Sequence, residues 1–311
     1  MHRRRRWVAL VILPLLLAGC RTEIPGAAGA RPTAEDQSHT PAGPSGTATG
    51  ATATTPRRSP VPRPDHIVVV VFENEDQVKV MGGPAAPYLN ELAASGANLT
   101  QSYGVTYPSQ PNYLALFSGS TQGVKNNDCP RNFPNADNLG HQLLEAGRSF
   151  VGYAESLPSV GFRGCESGRY ERKHNPWVNF GNLPASVNQP FSAFPTDFAS
   201  LPTVAFVTPN MCNDMHDCSV ATGDRWLRDN LGGYTEWAKT HNSLLIVTFD
   251  EDSGDPPNHI PTVIVGEQIR PGDYDEPTTH YTILRTIEDA YGLPALGQAA
   301  NVKPLLTIWT S

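Results

Sequence analysis

The sequence predicts an α/β protein with a doubly wound, mainly parallel sheet flanked by helices. Three short runs, at 66–72, 244–249 and 262–265, are apolar almost throughout, and such runs are typical of strands buried on both faces of a parallel sheet. Segments with apolar residues at helical spacing alternate with strand-like runs, which favours the doubly wound arrangement. In sheets of this kind ligands bind at the carboxyl ends of the strands.

The predicted elements follow in a regular order along the chain. Residues 156–200 interrupt that order, because they are rich in Gly, Pro, Asn and Phe and show no clear periodicity. They are predicted to be an insertion of loops that forms one wall of a pocket. Strands are predicted at 66–72, 150–154, 203–208, 244–249 and 262–265, and helices at 87–95, at 137–146 with Asp137 as the cap, at 223–239 and from Thr279 onward.

The amino terminus predicts export. Residues 1–6 are basic, and the apolar stretch behind them is shorter than the roughly 20 residues that span a bilayer. This pattern predicts a signal peptide at 1–19 rather than a transmembrane helix. The sequence Leu-Ala-Gly-Cys20 resembles a bacterial lipobox, which implies lipidation of Cys20; cleavage of an ordinary signal peptide nearby is the alternative. The protein is expected to be extracytoplasmic, either lipid-anchored to the bacterial cell membrane or secreted.

Composition separates a tether from a folded domain. Residues 20–63 are rich in Ala, Thr, Pro, Gly and Ser and have too few apolar side chains to offset the entropy of ordering, so we predict a disordered tether. Residues 64–311 are enough for one large catalytic domain. The formal net charge is −7, and no basic stripe with interleaved aromatic residues is present, which argues against nucleic-acid binding.

Four cysteines follow Cys20, and an even number in an exported chain predicts two disulfides. Proximity in sequence favours Cys129 with Cys165 and Cys212 with Cys218, although three pairings are possible. A zinc site is the alternative, but the sequence contains neither a Cys-x-x-Cys motif nor a Cys/His cluster.

Three polar clusters directly follow predicted strands. Because parallel strands end at the same edge of a sheet, the carboxylates of these clusters are expected to lie close together. Close carboxylates repel one another, and a bound cation would offset this repulsion. Oxygen donors are typical ligands of Mg²⁺, Ca²⁺, Mn²⁺ or Zn²⁺; surface acids or helix caps are the alternative interpretation. The clusters are Glu73 and Asn74 after the first strand, Asp250 to Asp252 after the strand that ends at Phe249, and Asn210, Asp214, His216 and Asp217 beyond Thr208.

Ser109 lies in a motif that predicts a nucleophile at the start of a helix. Pro111 stands where a first-turn proline would, and an apolar run at 113–117 follows it. A serine there faces free backbone N–H groups and the positive end of the helix dipole. A phosphate held at this point could be attacked by the serine once a metal ion has ionised it. A serine that merely caps the helix is the alternative.

Together the motifs resemble those of a known family, the bacterial phosphoesterases that include phospholipases C and acid phosphatases, within the alkaline-phosphatase-like superfamily. The resemblance extends from about residue 66 to 309 and includes the closing segment His280-Tyr-x-x-Leu-Arg-Thr-Ile-Glu-Asp. The motifs are Phe-Glu73-Asn74-x-x-Gln, Tyr-Pro-Ser109-x-Pro-Asn112-Tyr-Leu, Asn-Asp-Met-His216-Asp217 and Thr-Phe-Asp250-Glu251-Asp252.

The resemblance implies a divalent metal ion and a phosphate site. The metal ligands would be Glu73, Asn74, Asp250 and Glu251, with the Ser109 oxygen as a further ligand and as the nucleophile. His216 and Asn112 would assist catalysis. Asp217, His259 and His280 would bind the phosphate. The histidines could instead protonate the leaving group or hold a second metal ion. No role is assigned to His66, His141, His174 or His241.

One loop departs from the family pattern. Larger members carry Asp-Glu-x-Gly-Gly-x-x-Asp-His, whereas this chain reads Asp250-Glu-Asp-Ser-Gly-Asp-Pro-Pro-Asn258-His259. The second glycine is missing and Asn258 replaces an aspartate, which leaves the number of metal ions open.

The predicted function is that of an exported, metal-dependent phosphoesterase that hydrolyses small phosphate esters through Ser109. Acid phosphatase activity is favoured over phospholipase C activity because the chain is compact. The alternative is a non-catalytic surface lipoprotein that binds metal or phosphate. A serine hydrolase acting on acyl groups would require a Gly-x-Ser-x-Gly elbow, which does not surround Ser109.

Overall fold

The computed structural model describes residues 59–254 and 256–310. The predicted signal peptide at 1–19, the lipidation of Cys20 and most of the predicted tether at 20–63 lie outside these residues. Within the described part of the tether, Val61 is 3% exposed and packs into the core of the domain. The described helices include none with the length and apolar character needed to cross a membrane.

The described residues form short strands and helices in alternation. The strands are β1 (His66–Phe72), β2 (Ala97–Leu99), β3 (Ser102–Tyr103), β4 (Phe150–Ala154), β5 (Glu166–Ser167), β6 (Tyr170–Glu171), β7 (Asn188–Pro190), β8 (Val204–Thr208), β9 (Ser243–Phe249), β10 (Thr262–Gly266), β11 (Gly272–Tyr274) and β12 (Thr278–Thr279). The α-helices are α1 (Gln77–Val80), α2 (Pro87–Ser95), α3 (Ser109–Ser118), α4 (Leu139–Glu145), α5 (Val220–Ala238) and α6 (His280–Tyr291). Short 3₁₀ helices lie at Arg172–His174, Pro176–Asn179, Ala185–Val187, Phe191–Ala193, Phe198–Ser200 and Gly297–Asn301.

A central sheet, eight-stranded over the described residues, has the order β11-β2-β10-β9-β1-β8-β4-β7. The run β9-β1-β8-β4-β7 is parallel, as is the pair β11-β2, whereas β10 is antiparallel to both of its neighbours. Helices cover both faces of this sheet. The prediction of a doubly wound, mainly parallel α/β fold is therefore confirmed.

The side chains of β1 show how one strand serves both faces. Ile67, Val69 and Val71 belong to a core shared with α3 and α6, whereas Val68 and Val70 belong to a second core shared with α2 and α5. Because successive side chains of a strand point to opposite faces, a continuous apolar run is what a doubly covered strand requires.

Two details of the predicted elements are wrong. The cap of α4 is Asn138 rather than Asp137, since the Asn138 side chain accepts a hydrogen bond from the backbone N–H of His141 at 2.9 Å. Helix α5 begins at Val220, three residues before the predicted start at 223. Residues 156–200 are irregular as predicted, but they also contribute β7 to the edge of the central sheet.

Both predicted disulfides are present. Cys129 pairs with Cys165, and Cys212 pairs with Cys218, which is the pairing that proximity favoured. The first bridge ties the insertion to the loop that follows α3, and the second closes a small loop directly before α5.

Candidate metal and nucleophile site

Parallel strands bring the first acidic side chains together. Phe72 of β1 pairs with Phe249 of β9, so the residues that follow them, Glu73 and Asp250, are neighbours at the same edge of the sheet. The backbone N–H of Glu73 donates to the carbonyl oxygen of Asp214 at 2.9 Å, which joins the loop after β8 to the same point. All three carboxylates are buried, with at most 1% of each residue exposed.

Ser109 faces this carboxylate group from the opposite side. It is the first residue of α3, and the cap position is occupied by Pro108. The hydroxyl of Ser109 donates toward Glu73 Oε2 at 3.1 Å and Glu251 Oε1 at 3.3 Å. The interpretation of Ser109 as a mere helix cap is therefore wrong.

The start of α3 offers a phosphate fewer backbone donors than the sequence suggested. The N–H of Gln110 already donates to Asn127 Oδ1 at 2.9 Å, and Pro111 has no N–H. The positive side chain of Lys173, which is half-buried, lies near the carboxylates instead. Burial raises the pKa of Glu73 and of Glu251, and the charge of Lys173 offsets a small part of that rise.

Asn112 holds the acidic loop against the serine loop. Its Nδ2 donates to Glu251 Oε2 at 3.1 Å and to the carbonyl of Thr106 at 2.8 Å, and its Oδ1 accepts from the backbone N–H groups of Val105 and Thr106 at 3.0 and 3.1 Å. The contacts of Asn112 thus position Glu251 and the segment that leads into Ser109.

Several buried ligand-type atoms in the site have no hydrogen-bond partner among the described residues. Such atoms are rare in folded proteins and call for an explanation, which can be a missing ion. Asn74 is also held in a left-handed turn, with φ 53°, and its N–H donates to Asp250 Oδ1 at 3.2 Å. The unpartnered atoms are Asn74 Oδ1, Asp250 Oδ2, Asp214 Oδ2 and His174 Nε2.

The carboxylates of the site are strongly perturbed when no cation is bound. Burial, followed by the charges of Asp250 and Asp214, raises the pKa of Glu73 well above its usual range. Burial also raises the pKa of Asp250 to about 7 and that of Asp214 to about 8. The pKa of Glu251 rises to about 8 because of burial and then the charge of Asp250. A divalent cation would offset this repulsion, so the donor set fits a hard or borderline metal ion.

The structure adds His174, to which sequence analysis assigned no role. Its Nε2 lies 3.2 Å from Glu73 Oε1, poorly aligned for a hydrogen bond, and its Nδ1 lies 3.4 Å from Asp214 Oδ2. Glu73, His174 and Asp214 form a buried group whose ligand atoms lie within 4.8 Å of one another and could hold a metal ion. His174 comes from the irregular insertion, where the only sequence signal was a turn-forming Asn-Pro dipeptide behind it.

His216 and Asp217 lie on the solvent side of this group. His216 Nδ1 is 2.8 Å from Asp217 Oδ1, and the side chains are 28% and 60% exposed. The backbone N–H of His216 donates to Asp214 Oδ1 at 2.9 Å, and the rings of His216 and His174 are 6.1 Å apart. His216 is therefore accessible at the rim of the site.

The other two predicted histidines make structural contacts. His280 is 1% exposed, its Nε2 lies 2.7 Å from the carbonyl oxygen of Asp250, and burial lowers its pKa to about 4. His259 Nε2 lies 2.9 Å from the carbonyl oxygen of Thr100, and its ring stacks on Tyr103 at 5.0 Å. A role of either in phosphate binding stays a prediction.

Asn258, the departure from the family motif, joins two loops. Its Oδ1 accepts from the backbone N–H of Asp252 at 2.8 Å, and its Nδ2 donates to the carbonyl of Thr106 at 3.0 Å. An ionised aspartate could not make the second bond, because it has no hydrogen to donate. Asn258 thus connects the acidic loop to the segment before Ser109.

Known phosphatases are similar to this chain over three quarters of its length or more. The model of the Phosphoesterase family matches residues 72–294. A phosphatidylinositol-3-phosphatase of Mycobacterium tuberculosis is 52% identical over 253 residues, which cover 81% of this chain and 85% of that protein. A phosphate-repressible acid phosphatase of Penicillium chrysogenum is 33% identical over 254 residues, covering 75% of this chain but only 60% of that enzyme.

Among solved structures, a protein in the alkaline phosphatase superfamily from Vibrio parahaemolyticus has a TM-score of 0.55 at 15% identity. The match covers 80% of this chain and 72% of that chain, and at this identity it shows a shared fold alone.

Proposed function

We propose that this chain, which belongs to the Phosphoesterase family and is a hydrolase of phosphoric ester bonds, attacks its substrate with Ser109 at a divalent metal centre. The family and the class of enzyme are confirmed predictions. The observation that carries the proposal is the position of the Ser109 hydroxyl, which lies between Glu73 and Glu251 beside buried, unpartnered ligand atoms.

The metal ion would be held by Glu73, Asn74, Asp250 and Glu251, with the Ser109 oxygen as a further ligand. Asp214 and His174 are additional candidates on the far side of Glu73. When bound, the ion would supply positive charge that lowers the pKa of the serine hydroxyl and neutralises the phosphoryl oxygens.

The residues of the chain would carry out a two-step transfer. Ser109 loses its hydroxyl proton to solvent, and its oxygen attacks phosphorus in line, so that a phosphoserine forms as the bond to the ester oxygen breaks. His216, held by Asp217, would protonate that leaving oxygen from the rim of the site. A water molecule then hydrolyses the phosphoserine and restores the serine. Asn112 keeps Glu251 in place, and Lys173 would attract the anionic substrate.

The substrate is proposed to be a small phosphate ester, with acid phosphatase activity favoured over phospholipase C activity. The relative from Penicillium is named an acid phosphatase. The relative from Mycobacterium is named a phosphatidylinositol-3-phosphatase, which makes a phosphorylated inositol headgroup a second monoester substrate to test.

The experiment is hydrolysis of chromogenic phosphate monoesters and diesters, and of a phosphoinositide, by the full-length protein. Wild type and Ser109→Ala are compared before and after chelation and with metals added back, and Ser118→Ala, a serine at the other end of α3, is the matched control. Activity should need metal and should disappear in Ser109→Ala alone. Full activity of Ser109→Ala would refute the nucleophile, and absence of any turnover would favour a binding lipoprotein.

Export and anchoring complete the proposal. Two disulfides are typical of extracytoplasmic proteins, and we infer that lipidation of Cys20 tethers the domain to the cell membrane. Wild-type protein should sediment with membranes, and Cys20→Ser should be released. Equal distribution of the two between membranes and medium would exclude the anchor.

A further inference from the structure

The hydroxyl of Tyr113 lies within the candidate site, although the proposed function gives it no task. Tyr113 is 2% exposed and follows Ser109 by four residues in α3. Residues four apart lie on the same face of an α-helix, so both side chains can reach Glu73. The Tyr113 hydroxyl donates to Glu73 Oε1, and the Ser109 hydroxyl donates to Glu73 Oε2 at 3.1 Å. One helix thus supplies a donor to each oxygen of one carboxylate.

The ring of Tyr113 also contacts the side chain that the irregular insertion contributes. Its centroid lies 5.2 Å from that of His174, with 17° between the ring planes, which is a stacked geometry common for aromatic pairs. His174 Nε2 lies 3.2 Å from the same Glu73 oxygen that receives the tyrosine hydroxyl. Tyr113 therefore touches a ligand candidate from the sheet edge and another from the insertion.

The phenol acts as a donor in this position. Its hydroxyl donates to Glu73 Oε1, because an ionised carboxylate has no hydrogen to donate. The hydroxyl occupies Oε1, which leaves Oε2, the oxygen beside Ser109, for other partners.

We propose that Tyr113 is a positioning residue for the metal centre. Its hydroxyl restricts Glu73 to metal ligation through Oε2, and its ring sets the plane of the His174 imidazole. This inference rests on the proposed metal-dependent function. Partners that orient metal ligands typically change metal affinity by about 10- to 100-fold when they are removed.

The test compares the metal affinity of Tyr113→Phe with that of wild type, by calorimetric titration of metal-free, full-length protein with Zn²⁺ and Mn²⁺. Phenylalanine keeps the ring against His174 and removes only the hydroxyl. We expect the dissociation constant to rise at least about 10-fold. The visible spectrum of the Co²⁺ form should also change, because Glu73 would be free to bind through both oxygens.

Tyr170→Phe is the matched control. Tyr170 is 1% exposed, and its hydroxyl has no hydrogen-bond partner among the described residues, so removal of this hydroxyl should leave metal affinity and the Co²⁺ spectrum unchanged. Equal affinities and spectra for Tyr113→Phe and Tyr170→Phe would overturn the inference while leaving the metal centre in place. Failure of wild-type protein to bind any metal would overturn the proposed function and the inference together.

A second measurement avoids dependence on the folding of one variant. In wild-type protein, titration with metal should perturb the near-ultraviolet absorbance of a tyrosine, because the acceptor of the Tyr113 hydroxyl becomes a metal ligand. If Tyr113→Phe does not fold, an unperturbed tyrosine band in the wild type would overturn the inference.

Discussion

Two regions of very different regularity supply the candidate site. Glu73 and Asp250 follow neighbouring parallel strands, and the register of β1 with β9 brings them to one edge of the sheet. His174 lies in a single turn of 3₁₀ helix within residues 156–200. Backbone ladders position the acids, whereas a small number of side-chain contacts position the histidine.

Arg172 shows how the irregular region is held. It is 4% exposed, and its guanidinium donates to Asn179 Oδ1 at 3.0 Å and to the carbonyl oxygens of Arg163 and Arg131 at 2.6 and 2.7 Å. The disulfide between Cys129 and Cys165 ties the same two segments together. The position of the insertion thus depends on a few side-chain contacts, whereas backbone pairing between β1 and β9 fixes the position of the sheet edge.

The largest expected effect is at the sheet edge. Glu73→Gln keeps the shape of the side chain but removes the charge that would hold the metal. Removal of a residue that only orients a metal ligand lowers metal affinity by up to roughly 100-fold. We expect a larger fall for Glu73→Gln, because Glu73 is itself a proposed ligand. Calorimetric titration measures the loss, with Glu91→Gln, on the surface of α2, as the control. If Glu73→Gln lost less metal affinity than His174→Asn, the insertion rather than the sheet edge would contribute more to metal binding.

His174→Asn tests the contribution of the insertion. We expect metal affinity to fall by about 10- to 100-fold, because a candidate ligand or its orienting partner is lost. His141→Asn is the control, since His141 lies in α4 away from the site. Unchanged metal affinity would show that His174 contacts Glu73 and Asp214 but does not contribute to metal binding.

The two disulfides should differ in their effect on stability. The bridge between Cys129 and Cys165 spans 36 residues, and that between Cys212 and Cys218 spans 6. Loop-closure entropy predicts that replacing each pair by serine lowers the free energy of unfolding by about 4 and about 2 kcal/mol respectively. Chemical denaturation measures both; a larger loss from the shorter loop would contradict the account.

The smallest effect is expected from Glu288, which lies in α6 and belongs to neither of the two regions. Burial raises its pKa to about 8 in the folded state, so the folded protein binds more protons than the unfolded chain above the ordinary pKa of a glutamate. Its contribution to stability is therefore present at low pH and is lost as pH rises through about 8. Glu288→Gln should flatten this decline between pH 5 and 8, measured by denaturant unfolding. An unchanged pH profile would show that Glu288 does not titrate as described.

Much of the site was accessible from the sequence because parallel strands impose a simple rule. Glu73, Asn74, Asp250 and Glu251 follow strands whose apolar runs are unmistakable, and Ser109 opens a helix signalled by Pro111. A polar cluster that directly follows one of the parallel strands lies at the carboxyl edge of the sheet, whereas residues that follow the antiparallel β10 lie at the other edge.

His174 and Tyr113 could not be found in that way. Their contacts with Glu73 join positions 101 and 40 residues apart in the chain, and no local periodicity encodes contacts of that range. The cap of α4 is a smaller example, since Asp137 and Asn138 are both good capping residues and packing selected the second.

Hydrophobic periodicity and chain direction are local properties, so they are enough to predict the layered α/β fold, the edge of the sheet that carries the acids and the helix start at which Ser109 lies. They do not predict which histidine joins the acids, which oxygen of Glu73 receives the Tyr113 hydroxyl or how Arg172 holds the insertion. Those outcomes depend on packing and hydrogen bonds between segments distant in sequence, and such contacts form only when the chain has folded.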